Sequence, residues 1–542
     1  MELGIKKSVQ YKSKQLEHLG LIAGMYDELG IGELLDKLIP QNRIVSVGQA
    51  VKSMVLNGLG FANKSLYLSE LFFRDKPVEH LIGKGIHAEH LNDDTLGRAL
   101  DALYDYGVCA LYPQLAAKAV KKLGLSCHFG HMDSTSFHVD GDYDNDEEEK
   151  VVQITRGYSR DHRPDLNQVV LQLITERQAG IPMLMQVLDG NNSDKVSFRE
   201  MVNRFTKEMR EDFSIEYVVA DSALYTEETL CSMKDFLWIS RVPESLSLAQ
   251  EVIDTCDDLM DNPTQTQYRN LCTEYGGVKQ RWIVVFSPEA HQRAIKTLNK
   301  QWVKKSDAEL KALQKLCKQP FSCEADAVKA LNKFKKSLKY TLLNETTINT
   351  IPRFKGKGRP AKDRQPDYFD YHIEAVMASN LQERTRRLQR KSCFILASNQ
   401  LNYEVLPNAD LVAAYKDQQK VERGFRFLKD PMFMASTLYL KSPKRITALM
   451  MVMTLSLLVY AALEHRIRET LKQQDIFFPN QKNQLTQNPT ARWVFQFFTG
   501  IQLLTVQHSE QVQTFVLNIN EHQTALIKSL GERYVSLYTG TG

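Results

Sequence analysis

Apolar residues recur at helical spacing through the opening stretch of the chain. The clearest case is LNDDTLGRALDALYDYG (91–107), where Leu96, Leu100 and Leu103 form one stripe, Asn92 to Asp94 offer N-caps and Gly107 a terminator. From Cys127 the pattern changes to short runs rich in Val, Ile, Leu, Phe and Met and broken by Gly or Asp: CHFGHMDSTSFHVDG, VVLQLITE, GIPMLMQVLDG and IEYVVADSAL. These predict strands. Helical spacing in DKVSFREMVNRFTKEM lies between the last two, and LWISRVP adds another strand, so this region predicts an α/β unit with a mixed sheet. After Arg241 the alternation stops until CFILASN (393–399). Further on, ITALMMVMTLSLLVYAAL (446–463) runs eighteen residues without a charge, the lower edge of bilayer-spanning length. The run is solitary, contains Thr447, Thr454 and Ser456, and is basic at both ends, which predicts a helix buried in a large domain.

Composition narrows this only a little. The 542 residues, 43% hydrophobic and 25% charged, suit an ordinary globular protein of two to four domains. Eight cysteines without a C-x-x-C pair argue against a zinc ribbon or disulfide framework and fit a reducing, cytoplasmic compartment. The opening MELGIKKSVQYKSK has no apolar core of a secretory signal. A net charge of +4 permits nucleic acid as a partner without arguing for it, so distribution matters more. Between Gln292 and Tyr340 thirteen Lys and Arg face four acids, the electrostatic footprint of a phosphate-backbone binder as well as that of a solvated helical face. Downstream, FKGKGRPAKDR places Lys357 and Arg359 around Gly358, like small minor-groove hooks or a basic linker. The acidic DGDYDNDEEE (140–149) fails the calcium-loop pattern, with Asn145 where Gly is needed and Val151 where Glu is needed, and reads as a solvated hairpin tip.

Three acids stand out. Asp133 lies within HFGHMDSTSF and Asp221 ends the run YVVADS; an acid at the end of a central strand is costly unless a cation receives it. Glu422 lies in AAYKDQQKVERGFRFLKD (413–430), where Tyr415, Gln418, Glu422, Arg426 and Lys429 follow at spacings that put them on one helical stripe. Three carboxylates from separate elements suit a pair of hard divalent ions, the arrangement that phosphoryl transfer between DNA strands needs.

These residues resemble the DDE transposases of bacterial insertion sequences, in the branch of insertion-sequence family four and its relatives marked by Y-(2)-R-(3)-E-(6)-K. Tyr415, Glu422 and Lys429 match at the required spacing, and Gln418 stands where that pattern has Arg, losing the charge-assisted grip on phosphate. MDSTSF, GYSRDHRPDLNQ (157–168), GNNSD (190–194) and ADSALY are similar to further family blocks, and LNDDTLGRALDALYDYG and PTARWVFQFFTGIQLL to its flanking segments. The resemblance implies a ribonuclease-H-like α/β core split by an insertion. Its segments are a helical N-terminal DNA-binding domain (1–122), the first part of the core (123–244), a basic insertion (245–392), the second part (393–475) and a helical C-terminal region (476–542). It implies Asp133, Asp221 and Glu422 as catalytic metal ligands for two Mg2+ ions, with Mn2+ able to substitute. Tyr415, Gln418, Arg426, Lys429, Lys357 and Arg359 would contact DNA. The expected partners are double-stranded transposon ends and target DNA, bound by a homodimer without a membrane, in a bacterial cytoplasm at the nucleoid. Two rivals share these residues: a metal nuclease that only cuts, and a DNA-binding descendant without catalysis. Trp238, Trp282 and Trp302 are core aromatics or, alternatively, stacking platforms for a displaced base.

Overall fold

Strand-forming runs of the middle region assemble as their apolar pattern requires. The computed structural model describes residues 10–61, 68–139, 143, 151–159, 163–356, 363–430, 440–508 and 511–539. The chain divides into two compact units: Met1–Ser240 with Tyr275–Val278 and Asn402–Gly542, and Arg241–Glu274 with Lys279–Leu401.

The first unit carries strands β1 (Phe129–Val139), β2 (Asn167–Glu176) and β3 (Pro182–Leu188), helix α1 (Asp194–Arg204), then β4 (Tyr217–Ala220) and β5 (Leu237–Arg241). Their order across the mixed sheet is β3-β2-β1-β4-β5. β1 and β2 pair antiparallel from Gly130↔Glu176 to Val139↔Asn167, and β3 continues the meander against β2. β4 instead lies parallel to β1, from Phe129↔Tyr217 to Met132↔Ala220, and β5 parallel to β4. β4 reads YVVA and is buried throughout, the composition of a strand covered on both faces.

Three helices return after the second unit: α2 (Asn408–Lys416), α3 (Gln419–Leu428) and α4 (Pro443–Gln473). α4 contains the long apolar run, and its most apolar window is 94% buried. It packs against Leu19–Glu28, Val47–Leu59, Asp93–Tyr106, Val108–Leu123 and β3, so the opening helices take up its apolar surface. The hydroxyls within it are satisfied locally. Thr447, Thr454 and Ser456 donate to the carbonyls of Pro443, Met450 and Val452, one turn back, which lets them lie in an apolar interior. Asp93–Tyr106 starts as the sequence predicts, with Asn92 Oδ1 accepting from Thr95 N–H at 2.9 Å, and ends at Gly107, whose φ is 99°.

Both ends differ from the purely helical expectation. Gln10–Gln15 is a strand paired antiparallel with Gln502–His508, which pairs in turn with Gln511–Leu517. QYKSKQ is too short and polar to announce a strand by itself; the extended form comes from a partner almost five hundred residues away.

Beside this sheet, His18 is buried, donates from Nε2 to the Leu59 carbonyl at 2.9 Å and stacks on Phe495 at 4.5 Å. Burial pushes its pKa down to about 4, so the folded protein holds it neutral. Unfolding frees it to take a proton near its ordinary value of about 6.5. Its stability contribution is therefore whole above pH ~6.5 and is lost as pH falls toward 4, at up to about 1.4 kcal/mol per pH unit. His18→Gln, measured by urea unfolding across that window, should lose stability less steeply than the native chain. Equal slopes would remove His18 from the acid response.

In the second unit Arg281–Phe286 pairs antiparallel with Cys393–Ser398. It also has a 31-residue helix, Pro288–Lys318, and a long hairpin of Thr341–Arg353 with Tyr368–Ser379. On the long helix Ala294, Leu298, Trp302 and Leu313 face inward. Arg293, Lys296, Lys300, Lys304, Lys311, Lys315 and Lys318 are exposed, and their spacing puts them on one stripe on the other side. Arg387 closes the base of the hairpin, its guanidinium 4.6 Å from the Tyr340 ring and 5.7 Å from Trp302.

Candidate catalytic site

β1 and β4 bring the first two acids together. Asp133 and Asp221 each follow the last pair of their parallel register, Met132↔Ala220, Asp133 still within β1 and Asp221 at the turn that ends β4. Neighbouring strands run about 4.8 Å apart, which brings these two strand ends close together. Each carboxylate is oriented by a backbone donor: Asp133 Oδ1 accepts from Ser134 N–H at 2.7 Å, and Asp221 Oδ1 from Ala223 N–H at 2.9 Å. Ser240 on β5 donates to the Asp221 carbonyl at 2.8 Å and fixes the backbone at the strand end.

α3 supplies the third acid, and two contacts define its course. At its start Gln418 reaches His131 and Met132; at its end Lys429 Nζ stands 5.8 Å from the ring of Phe137. The eleven residues from Gln418 to Lys429 advance about 16 Å as helix. The five from Met132 to Phe137 advance about 17 Å as strand. α3 therefore runs lengthwise along β1. His131, Asp133 and Phe137 alternate onto one face of β1, the face that α3 covers. Glu422, one turn past Gln418, lies level with Asp133 and Ser134 on the same stripe as Gln418 and Lys429. Val421, Phe425 and Leu428 bury the adjoining stripe, leaving Glu422 at its exposed edge.

The expected single stripe from Tyr415 to Lys429 is broken. Tyr415 belongs to α2, and Asp417 and Gln418 form a turn between the helices. Gln418, expected to reach a phosphate, is 7% exposed and turned inward. Its Nε2 donates to the Met132 carbonyl at 2.8 Å, and its Oε1 faces His131 Nδ1 at 3.3 Å. Burial holds the His131 imidazole down at about 4, which makes it a neutral packing group. Arg426 is exposed, its Nε 3.5 Å from the Glu422 carbonyl. Lys357 and Arg359 lie outside the described residues, as do 140–142 and 144–150 of the acidic run.

The sequence reading missed the tether at this junction. Asp417 pairs with Arg177 at 2.6 Å, and Lys420 donates to the carbonyls of Arg177 and Gln178, holding the start of α3 to the β2–β3 turn. Asp417 and Lys420, spaced for one helical turn, were the available signal. The family-like blocks around Gly157 and Gly190 also meet. Gln168, buried, donates to the carbonyls of Gly190 at 2.6 Å and Tyr158 at 3.2 Å, knitting both loops to β2. Trp238 and Trp282 are fully buried, and Trp302 donates to Ser379 Oγ at 3.0 Å, so all three serve the interior.

Among the described residues, no three His, Cys, Asp or Glu side chains close on a common point at metal-ligand distance. The donor type nevertheless suits a hard divalent ion: three carboxylates, Asp221 and Glu422 exposed and Asp133 half-buried, so all are open to solvent.

The mixed sheet thus carries Asp133 and Asp221 at neighbouring strands, with Glu422 on a helix lying along the same strand as Asp133. Residues 129–459 match the family model described as the transposase DDE domain, more than half of the chain, and the protein belongs to that family. Residues 11–117 match a second model, described as a domain of unknown function (DUF4277). No curated protein matches the chain. Among solved structures, the cryo-EM piggyBac transposase synaptic complex with hairpin DNA aligns over 88% of this chain and 71% of that one. The identity is 7% and the TM-score 0.32, a likeness too slight to support an argument.

Proposed function

We propose that the protein binds the terminal inverted repeats of an insertion sequence and cuts and joins DNA strands at a divalent-metal site held by Asp133, Asp221 and Glu422. What supports this reading is the order of the elements: Asp133 and Asp221 each follow the last pair of the parallel β1–β4 ladder, Met132↔Ala220, and Glu422 lies one turn along a helix tied to Met132. The order β3-β2-β1-β4-β5 supports a ribonuclease-H-like core. When bound, two Mg2+ ions would activate the attacking hydroxyl and stabilise the leaving oxygen.

The chain's own residues prepare that site. Backbone donors aim Asp133 and Asp221, and α3 carries Glu422 at an exposed edge from which its side chain can turn toward them. Lys429, at the far end of the same stripe, is suited to a phosphate beside the acids, with Tyr415 and Arg426 at its margins. The exposed cations of Pro288–Lys318 suit a duplex backbone. Two ends, each needing its own site, call for two copies of the chain on DNA.

The test is an assay with a linear fragment bearing both inverted ends, a plasmid target and Mg2+. Cutting at the ends, covalent joining to the plasmid and loss of both with EDTA are expected, with Mn2+ restoring them. Cutting without joining would indicate a nuclease; binding without cutting under either ion would leave a DNA-binding protein.

A further inference from the structure

We infer that Gln418 is a positioning residue of the acid site: its amide fixes the start of α3 against β1, one residue before Asp133, and so sets where Glu422 stands. The inference rests on the metal-site reading above and assigns a role to Gln418, which stands where the resembled branch has Arg.

Burial comes first. At 7% exposure, the Gln418 side chain is closed to a DNA phosphate. Both ends of the amide are also engaged, the nitrogen by the Met132 carbonyl at 2.8 Å and the oxygen facing His131 Nδ1 at 3.3 Å. The neighbouring tethers of α3, Asp417 to Arg177 and Lys420 to the Arg177 and Gln178 carbonyls, reach only the β2–β3 turn. Gln418, by contrast, links the helix start to the strand that carries Asp133. Glu422 follows it by one turn, so a shift or rotation at Gln418 passes directly to the third acid.

An arginine here would not serve. A guanidinium has donors only, so it could keep the Met132 carbonyl but offers His131 no acceptor. It would also bury a charge beside Asp417, a carboxylate that already holds Arg177 at 2.6 Å. The arginine of the resembled branch is thus expected to harm this chain.

The experiment compares Gln418→Met, similar in size but without hydrogen bonds, with Gln418→Arg in the full chain. Thermal stability, metal-free binding of an inverted-repeat duplex, Mn2+ affinity by titration calorimetry, and single-turnover cleavage at saturating DNA are measured on each. Gln418→Met should fold and bind ends as the native chain does, while Mn2+ affinity and cleavage rate fall by about 10- to 100-fold, the scale of lost support behind a metal ligand. Gln418→Arg should perform no better. Gln418→Asn, which keeps the amide but withdraws it by one methylene, takes the same measurements if Gln418→Met does not fold. Faster cleavage by Gln418→Arg than by the native chain would overturn the inference in favour of a DNA contact. So would weakened end binding with unchanged Mn2+ affinity, and unaltered behaviour throughout would overturn it outright. Failure of the metal-site reading shows separately, as cleavage by an Asp133→Asn protein.

Discussion

Asp221→Asn is expected to reduce strand cleavage by roughly 10³-fold, about 4 kcal/mol of lost transition-state stabilisation, while leaving the binding of inverted-repeat DNA unchanged. Asparagine has the same shape and can still accept from Ala223 N–H, and the Ser240 bond goes to the backbone carbonyl, which the substitution does not touch. What disappears is the negative charge that a divalent ion needs. Asp133→Asn and Glu422→Gln test the other positions on the same grounds, and each should be equally severe, because an ion held by several carboxylates is lost with any one of them. Cleavage measured on end-labelled duplexes decides this: a variant that cuts at the native rate takes its residue out of the site.

The second large effect is on stability. Gly190→Ala should lower the unfolding free energy by about 3 kcal/mol, the upper range for forced overpacking. An added Cβ would stand 2.1 Å from the Gln168 carbonyl oxygen and 2.3 Å from that of Thr155. Both are backbone atoms, so no side-chain rotation relieves the clash. Gly157 is equally tight, its Cβ position 2.1 Å from the Gly190 oxygen. Substitution must therefore push the 151–159 segment away from β2 and strain the Gln168 bonds to Gly190 and Tyr158. Urea denaturation followed by circular dichroism reads the change; a native midpoint for Gly190→Ala would mean that these loops separate at no cost.

The two expectations concern blocks that the sequence shows in different ways. The acids are legible because a charge at the end of an apolar run such as YVVAD contradicts its surroundings, and the contradiction itself points to a cation. The glycines are visible only as residue types, since what makes Gly190 necessary is a carbonyl from Thr155, thirty-five positions earlier. Gln418 shows the same limit more sharply. At helical spacing it falls on a stripe with Glu422 and Lys429, and the natural reading faces all three toward DNA. Gln418 instead stands at the start of α3, where that stripe meets β1, and its amide seals against the strand.

By itself the sequence determined the periodicities: the strands from Phe129 to Arg241, the capped helix at Asp93–Tyr106, and an uncharged run whose Thr and Ser residues could bond within their own helix. Those features depend on neighbours a few positions apart, which a linear pattern records. Tertiary structure decided which distant segments meet: Gln10–Gln15 with Gln502–His508, the order in which β1 finds β2 on one side and β4 on the other, and the inward turn of Gln418. Such pairings depend on shape and hydrogen-bond complementarity between segments that come together only as the chain collapses.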